Sequence, residues 1–212
     1  MRDTDTHDGV APSDPLAPTR PPVWMLACKV LLAGMLVVGA VAPSFGGFEG
    51  KGMAFRLPLF LAPSLIVPIR WWRRRGVYQI GLDVALTIPF LLDTAGNAFG
   101  FYDSFDATDD VLHALNWFVL VGGVTVTLWA AAHRGSSRPL IWVAGTGIGA
   151  IAIVLWEAAE YAVMQAGVGG LSLTYGDTIG DLLLSTGGGA LGALAAIRLA
   201  QRRVTGRPSP GT

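Results

Sequence analysis

The sequence predicts an all-α fold, a polytopic membrane helix bundle with about six transmembrane helices. Hydrophobic residues make up 52% of the 212 residues and charged residues only 14%, with a mean hydropathy of +0.51. A soluble domain carries about 25% charged residues. Apolar runs recur along the chain, each near the roughly 20 residues that cross a bilayer as a helix. Seven tryptophans suit a chain that meets two bilayer interfaces. Long continuous runs read as helices because an open sheet would leave backbone groups unsatisfied in lipid. The 15 Lys+Arg balance the 15 Asp+Glu, so no nucleic-acid partner is expected. The single cysteine, Cys28, excludes an intrachain disulfide and a Cys-based zinc site.

Residues 1–22 are rich in Pro, Asp and Thr without apolar period and read as a disordered cytoplasmic tail. Residues 23–200 form the transmembrane domain, and 201–212 a second disordered cytoplasmic tail. The first span covers 23–42. Its Ala40-Val41-Ala42 mimics the small-x-small site of a cleaved signal peptide, but the length of the run, the acidic region before it and Lys29 within it favour a retained helix. The next span, 53–69, carries Pro58, Pro63 and Pro68, which predicts a kink. The remaining spans cover 77–95, 111–132, 139–163 and 178–198. Gly145-x-x-x-Gly149 and Gly188-x-x-x-Gly192 mark close helix contacts.

With six spans, the arginines at 70, 73–75, 134, 138, 198, 202, 203 and 207 share one side with Arg2 and Arg20. Lys51 and Arg56 fall on the other side, so the basic side, with both termini, is expected in the cytoplasm. Lys29 and Asp83 each lie about 9 Å inside that side. They either pair between spans or Lys29 snorkels alone to the interface.

The acids gather at the opposite, outer side. Asp93 lies about 24 Å along its span, and Glu157 and Glu160 about 27 and 32 Å along theirs. His113 and Asp181 lie within about 5 Å of the outer starts of their spans. Glu157 and Glu160 share a helix face, as do Asp177, Asp181 and Ser185. Asp106, then Asp109 or Asp110, His113 and Asn116 form a third stripe if that helix begins early. The loop acids Asp103, Asp106 and Asp109 read most simply as solvated. Glu157, Glu160 and Asp181 sit in apolar runs, where ionisable residues mark function. So many carboxylates need a bound metal, shared protons or full exposure to water.

Phe105-Asp106 with His113, then Trp156-Glu157-Ala158-Ala159-Glu160-Tyr161, then Tyr175-Gly176-Asp177-Thr178-Ile179-Gly180-Asp181 before Gly189-Ala190-Leu191-Gly192, resemble the YjdF-like family. Asp93, Gly96, Asn97 and Tyr102 look like a further segment of it. The resemblance covers roughly the C-terminal half, excludes the N-terminal tail, and implies a multi-pass bacterial inner-membrane protein of unknown activity.

Three functional classes follow. One is a membrane-embedded, metal-dependent enzyme. Asp106, Asp110, His113, Glu157, Glu160, Asp177 and Asp181 would then be candidate ligands of Mg, Mn, Fe or Zn. Glu157, Glu160 and His113 would be its candidate catalytic groups, one carboxylate acting as general base toward water. Its substrate would be a lipid head group or lipid-linked phosphate. Against it, zinc triads and di-iron bundles use more histidines, and Asp110-x-x-His113 occurs once. Another class is a proton- or cation-coupled transporter, for which six spans without an inverted repeat would require a homodimer; the acids lie at one face rather than the midplane. The last is a non-catalytic membrane subunit in which the acids hold a structural cation or a polar network.

Overall fold

The computed structural model describes residues 18–74, 76–132, 136–167 and 173–205, with 203–205 as backbone alone. Most of the predicted tails (1–17 and 206–212) and His133 and Arg134 lie outside the described residues. The described residues form an all-α bundle of α1 (Val23–Val41), α2 (Met53–Arg74), α3 (Ile80–Ala85), α4 (Ile88–Ala98), α5 (Phe101–Ser104), α6 (Thr108–Ala131), α7 (Arg138–Gln165) and α8 (Tyr175–Thr205). A 3₁₀ turn, Gly46–Phe48, lies between α1 and α2. Five helices, α1, α2, α6, α7 and α8, are long and apolar enough to cross a membrane, which makes this a multi-pass membrane protein.

The stretch read as a span over 77–95 is broken. It forms α3 and α4, separated by a turn at Leu86 and Thr87. Pro89 in the first turn of α4 has no N–H to continue a helical ladder from Ala85, so the chain restarts there. At the other extreme, α8 continues to Thr205, past the predicted domain limit at 200. Residues 18–22, the end of the predicted tail, are tied to the bundle: Tyr78 N–H donates to Pro18 C=O at 3.0 Å, and Trp71 Nε1 to Thr19 C=O at 2.9 Å.

Helix α6 is the centre of the packing, and glycines let its neighbours approach. A Cβ at Gly188 or Gly192 of α8 would stand 2.2 Å from Ala114 O or 2.1 Å from Phe118 O of α6. On α7, a Cβ at Gly145 would meet Thr125 Oγ1 at 2.2 Å, and one at Gly149 would meet Val121 Cγ2 at 2.5 Å. Both predicted small-residue motifs therefore grip the same helix.

Lys29 and Asp83 do pair, at 2.7 Å, with Asp83 0% exposed. Lys29 also donates to Thr87 Oγ1 at 2.7 Å and to the Ser64 carbonyl, and Tyr78 OH donates to the other Asp83 oxygen. The Ser64 carbonyl is available because the residue four positions on is Pro68, which has no N–H to offer. One ammonium thus satisfies a proline-freed carbonyl in α2, a carboxylate in α3 and a hydroxyl in the turn before α4. It fixes the broken segment against α1 and α2.

Candidate functional site

The N-terminal ends of α2, α6 and α8 and the C-terminal ends of α4 and α7 surround a cavity of about 490 Å3. Its size lies in the range of small-molecule sites. It is polar toward those helix ends and apolar deeper, where Phe60, Phe90, Trp117, Leu120, Ala152 and Trp156 line it. Leu120 lies about 18 Å along α6 from Thr108.

Local sequence sets the helix starts that bring the polar groups together. Asp177 N–H donates to Thr174 Oγ1 at 3.2 Å, capping α8 and placing a carboxylate in its first turn, where the helix dipole favours negative charge. Helix α6 begins at Thr108, so Asp109 stands one turn before His113 on the same face. His113 Nε2 lies 3.7 Å from Asp109 Oδ1 and 3.6 Å from Asp181 Oδ1 of α8. His113 Nδ1 is 3.0 Å from Ser185 Oγ. Asp181 and Ser185 of the predicted stripe therefore both face His113 of α6, and Asp177, one turn earlier, lines the cavity. Asp181 is 2% exposed and Ser185 is buried.

One ligand atom from each of Asp109, His113 and Asp181 lies within 4.8 Å of the others. At 3.6 and 3.7 Å, the imidazole-to-carboxylate separations exceed direct hydrogen bonds. They are close to the edge of about 3.4 Å that ligands at about 2.1 Å make around a tetrahedral ion. Two oxygens and one nitrogen suit Mn, Fe or Zn better than a soft metal. The histidine's outer nitrogen has the partner that an imidazole ligand needs to fix its ring.

The other predicted residues divide. Glu157 is buried at 6% exposure with both carboxylate oxygens unpartnered, and His113, Asp109, Asp177 and Asp181 all lie within its electrostatic reach. Glu160 and Asp177 line the cavity. Asp106 and Asp110 are exposed and do not line it. The carboxylate that joins His113 is Asp109, at i,i+4, rather than Asp110. The sequence offers either Asp109 or Asp110 on the His113 stripe and reads Asp109 most simply as solvated; the helix start at Thr108 decides for Asp109.

Across the cavity, Arg56 of α2 pairs with Asp93 of α4 at 2.7 Å and stacks on Phe60, 5.5 Å from the ring centroid. Tyr102 OH donates to the other Asp93 oxygen at 2.6 Å. Burial, then the charge and hydrogen bond of Asp93, push the Tyr102 phenol far above its ordinary range, so it remains a donor at neutral pH. Lys51 pairs with Asp103 at 2.6 Å. Both cations on this side are therefore engaged. Among the described residues none of Asp109, Glu157, Glu160, Asp177 and Asp181 forms an ion pair with a lysine or arginine. The α6–α7–α8 wall is an uncompensated carboxylate surface with one imidazole.

Comparison with family models, with curated proteins and with solved structures gave no match to this chain.

Proposed function

We propose that this chain is a YjdF-like inner-membrane protein, with both termini cytoplasmic, that holds a divalent cation at Asp109, His113 and Asp181. It carries out metal-assisted chemistry on a membrane amphiphile at the outer leaflet. The observation that carries the reading is the convergence of two carboxylates and one imidazole within 4.8 Å on a cavity that is polar at its end and apolar within. A cation there offsets a wall that lacks lysine or arginine partners, and when bound it supplies Lewis-acid polarisation of a substrate oxygen.

The chain's own residues have separate parts in this reading. A proton on His113 Nδ1, donated to Ser185, leaves the Nε2 lone pair facing Asp109 and Asp181. Glu160, on the cavity wall without a lysine or arginine ion pair, is the general base toward water. Glu157, buried and within electrostatic reach of Asp181, His113 and Asp109, strengthens cation binding when it is ionised. Tyr102 holds Asp93, which in turn holds Arg56 at the opposite wall.

Elemental analysis of the detergent-purified protein tests the reading. One equivalent of a divalent metal is expected in the wild type, with a loss of at least tenfold in affinity in Asp181→Asn. A wild-type protein that purifies without metal and binds neither Mn2+ nor Zn2+ when offered them overturns it.

A further inference from the structure

Helices α2 and α7 pack little on each other where they flank the cavity. Helix α2 packs chiefly on α1 and α3, and α7 on α6 and α8. Between α2 and α7, Phe60 and Trp156 meet with ring centroids 6.1 Å apart. Beside that contact lies a groove of about 110 Å3. Phe55 and Leu59 form one ridge of it, and Ala159 and Val163 the other. Each pair is spaced i,i+4, so each ridge is a single helix face. Ala159, the smallest of the four, leaves the gap between them. Phe55 and Leu59 are each 44% exposed on a helix long and apolar enough to cross a membrane, so in a bilayer the outer edge of the groove would face lipid. Its inner edge is the cavity wall: Arg56, Phe60, Trp156 and Glu160 line both.

We infer that this groove is a lateral portal. It seats the hydrocarbon chain of a membrane lipid whose polar head occupies the cavity. Two observations select that occupant. The groove is apolar between its ridges, which lie on two helices long and apolar enough to cross a membrane, and it adjoins, across Phe60 and Trp156, a cavity whose polar groups lie at one end of the bundle. A wholly polar solute has no use for such an opening, whereas an amphiphile entering from the membrane keeps its chain in apolar surroundings throughout. The inference rests on the proposed reading of the cavity as an amphiphile site.

The test uses the full chain in cells fed a diazirine-bearing fatty acid, so that membrane lipids of every head group carry the photoprobe. After irradiation, adducts are mapped by mass spectrometry. Adducts are expected on Phe60 and Trp156 as well as on the outward-facing Phe55 and Leu59. Phe60 is only 2% exposed, so label reaches it from the groove or the cavity that it lines and not from the open lipid face. In Ala159→Phe, which fills the gap, the Phe60 and Trp156 adducts fall at least fivefold while those on Phe55 and Leu59 persist. Wild-type adducts confined to Phe55 and Leu59 overturn the portal, whatever the variant does. Mn2+ binding by the purified wild type is measured separately. Metal binding with adducts only on the outward residues refutes the portal and leaves the cavity reading standing. Adducts on Phe60 and Trp156 without metal binding do the reverse.

Discussion

Replacing Lys29 by Met removes the one group that joins α1, α2, α3 and the turn before α4, at little change in side-chain length. Three interactions are lost: the 2.7 Å ion pair with Asp83, the 2.7 Å hydrogen bond to Thr87, and the bond to the Ser64 carbonyl. Asp83, 0% exposed, is left with the Tyr78 hydroxyl. Breaking a buried pair by removing one partner costs about 3–5 kcal/mol, chiefly the cost of the stranded charge. The Ser64 carbonyl gets no replacement donor from Pro68, and an unsatisfied buried acceptor costs about 1–3 kcal/mol. The two penalties overlap in space, so about 4 kcal/mol is expected for Lys29→Met. Asp83→Leu strands the ammonium instead and costs a similar amount. The double variant Lys29→Met/Asp83→Leu strands neither charge and costs less than either single change, giving a coupling of at least about 2 kcal/mol. Reversible unfolding in mixed micelles titrated with SDS, read by tryptophan fluorescence, measures all three. A loss below about 1 kcal/mol for Lys29→Met, with additive single variants, would refute the reasoning and show that the pair does not hold the α3–α4 break in place.

Further outcomes are expected. Gly192→Val places a side chain 2.1 Å from the Phe118 carbonyl oxygen, where backbone must move; unfolding in micelles should show a loss at or above the roughly 3 kcal/mol upper range of overpacking, against near neutrality for Gly187→Ala, whose Cβ meets nothing within 4 Å. Glu157→Gln should act in opposite directions: it raises the melting temperature of the metal-free protein by removing a buried acid whose oxygens lack partners and whose ionised form burial disfavours, and it weakens Mn2+ binding several-fold, both readable by calorimetry. A melting temperature that falls in the metal-free variant would show that the carboxylate is compensated. The raised Tyr102 pKa means that the folded chain holds this proton more tightly than the unfolded chain does. Its stabilisation is complete below the unfolded tyrosine pKa of about 10 and is lost as pH rises beyond it. Unfolding at pH 8 and pH 11 should therefore show a steeper decline in the wild type than in Tyr102→Phe, and equal slopes would remove Tyr102 from the account.

The bilayer-length apolar runs were legible because their composition and length leave helices as the only backbone-satisfying choice in lipid. The glycine motifs were legible as packing faces for the same local reason: spacing on one helix fixes which residues share a side. Spacing also placed Asp177, Asp181 and Ser185 on one stripe, and Glu157 and Glu160 on another. It did not say which helix each stripe would face. That Asp181 and Ser185 meet His113, that Asp109 rather than Asp110 completes the group, and that Arg56 is held by Asp93 and Tyr102 are relations between helices. They depend on rotations of about 100° per residue about each axis, which only packing sets.

The sequence by itself therefore determined an all-helical, multi-pass membrane chain with its acids gathered toward one end, because hydropathy and helical rise are properties of each segment alone. Tertiary structure decided what those acids touch. It resolved the choice between snorkelling and pairing for Lys29, since the acceptor that draws it inward is a carbonyl freed by Pro68 on another helix. It also opened the groove between α2 and α7. A gap exists only where two helices, each fully formed, fail to fill the space between them, and no pattern along one strand of sequence records that.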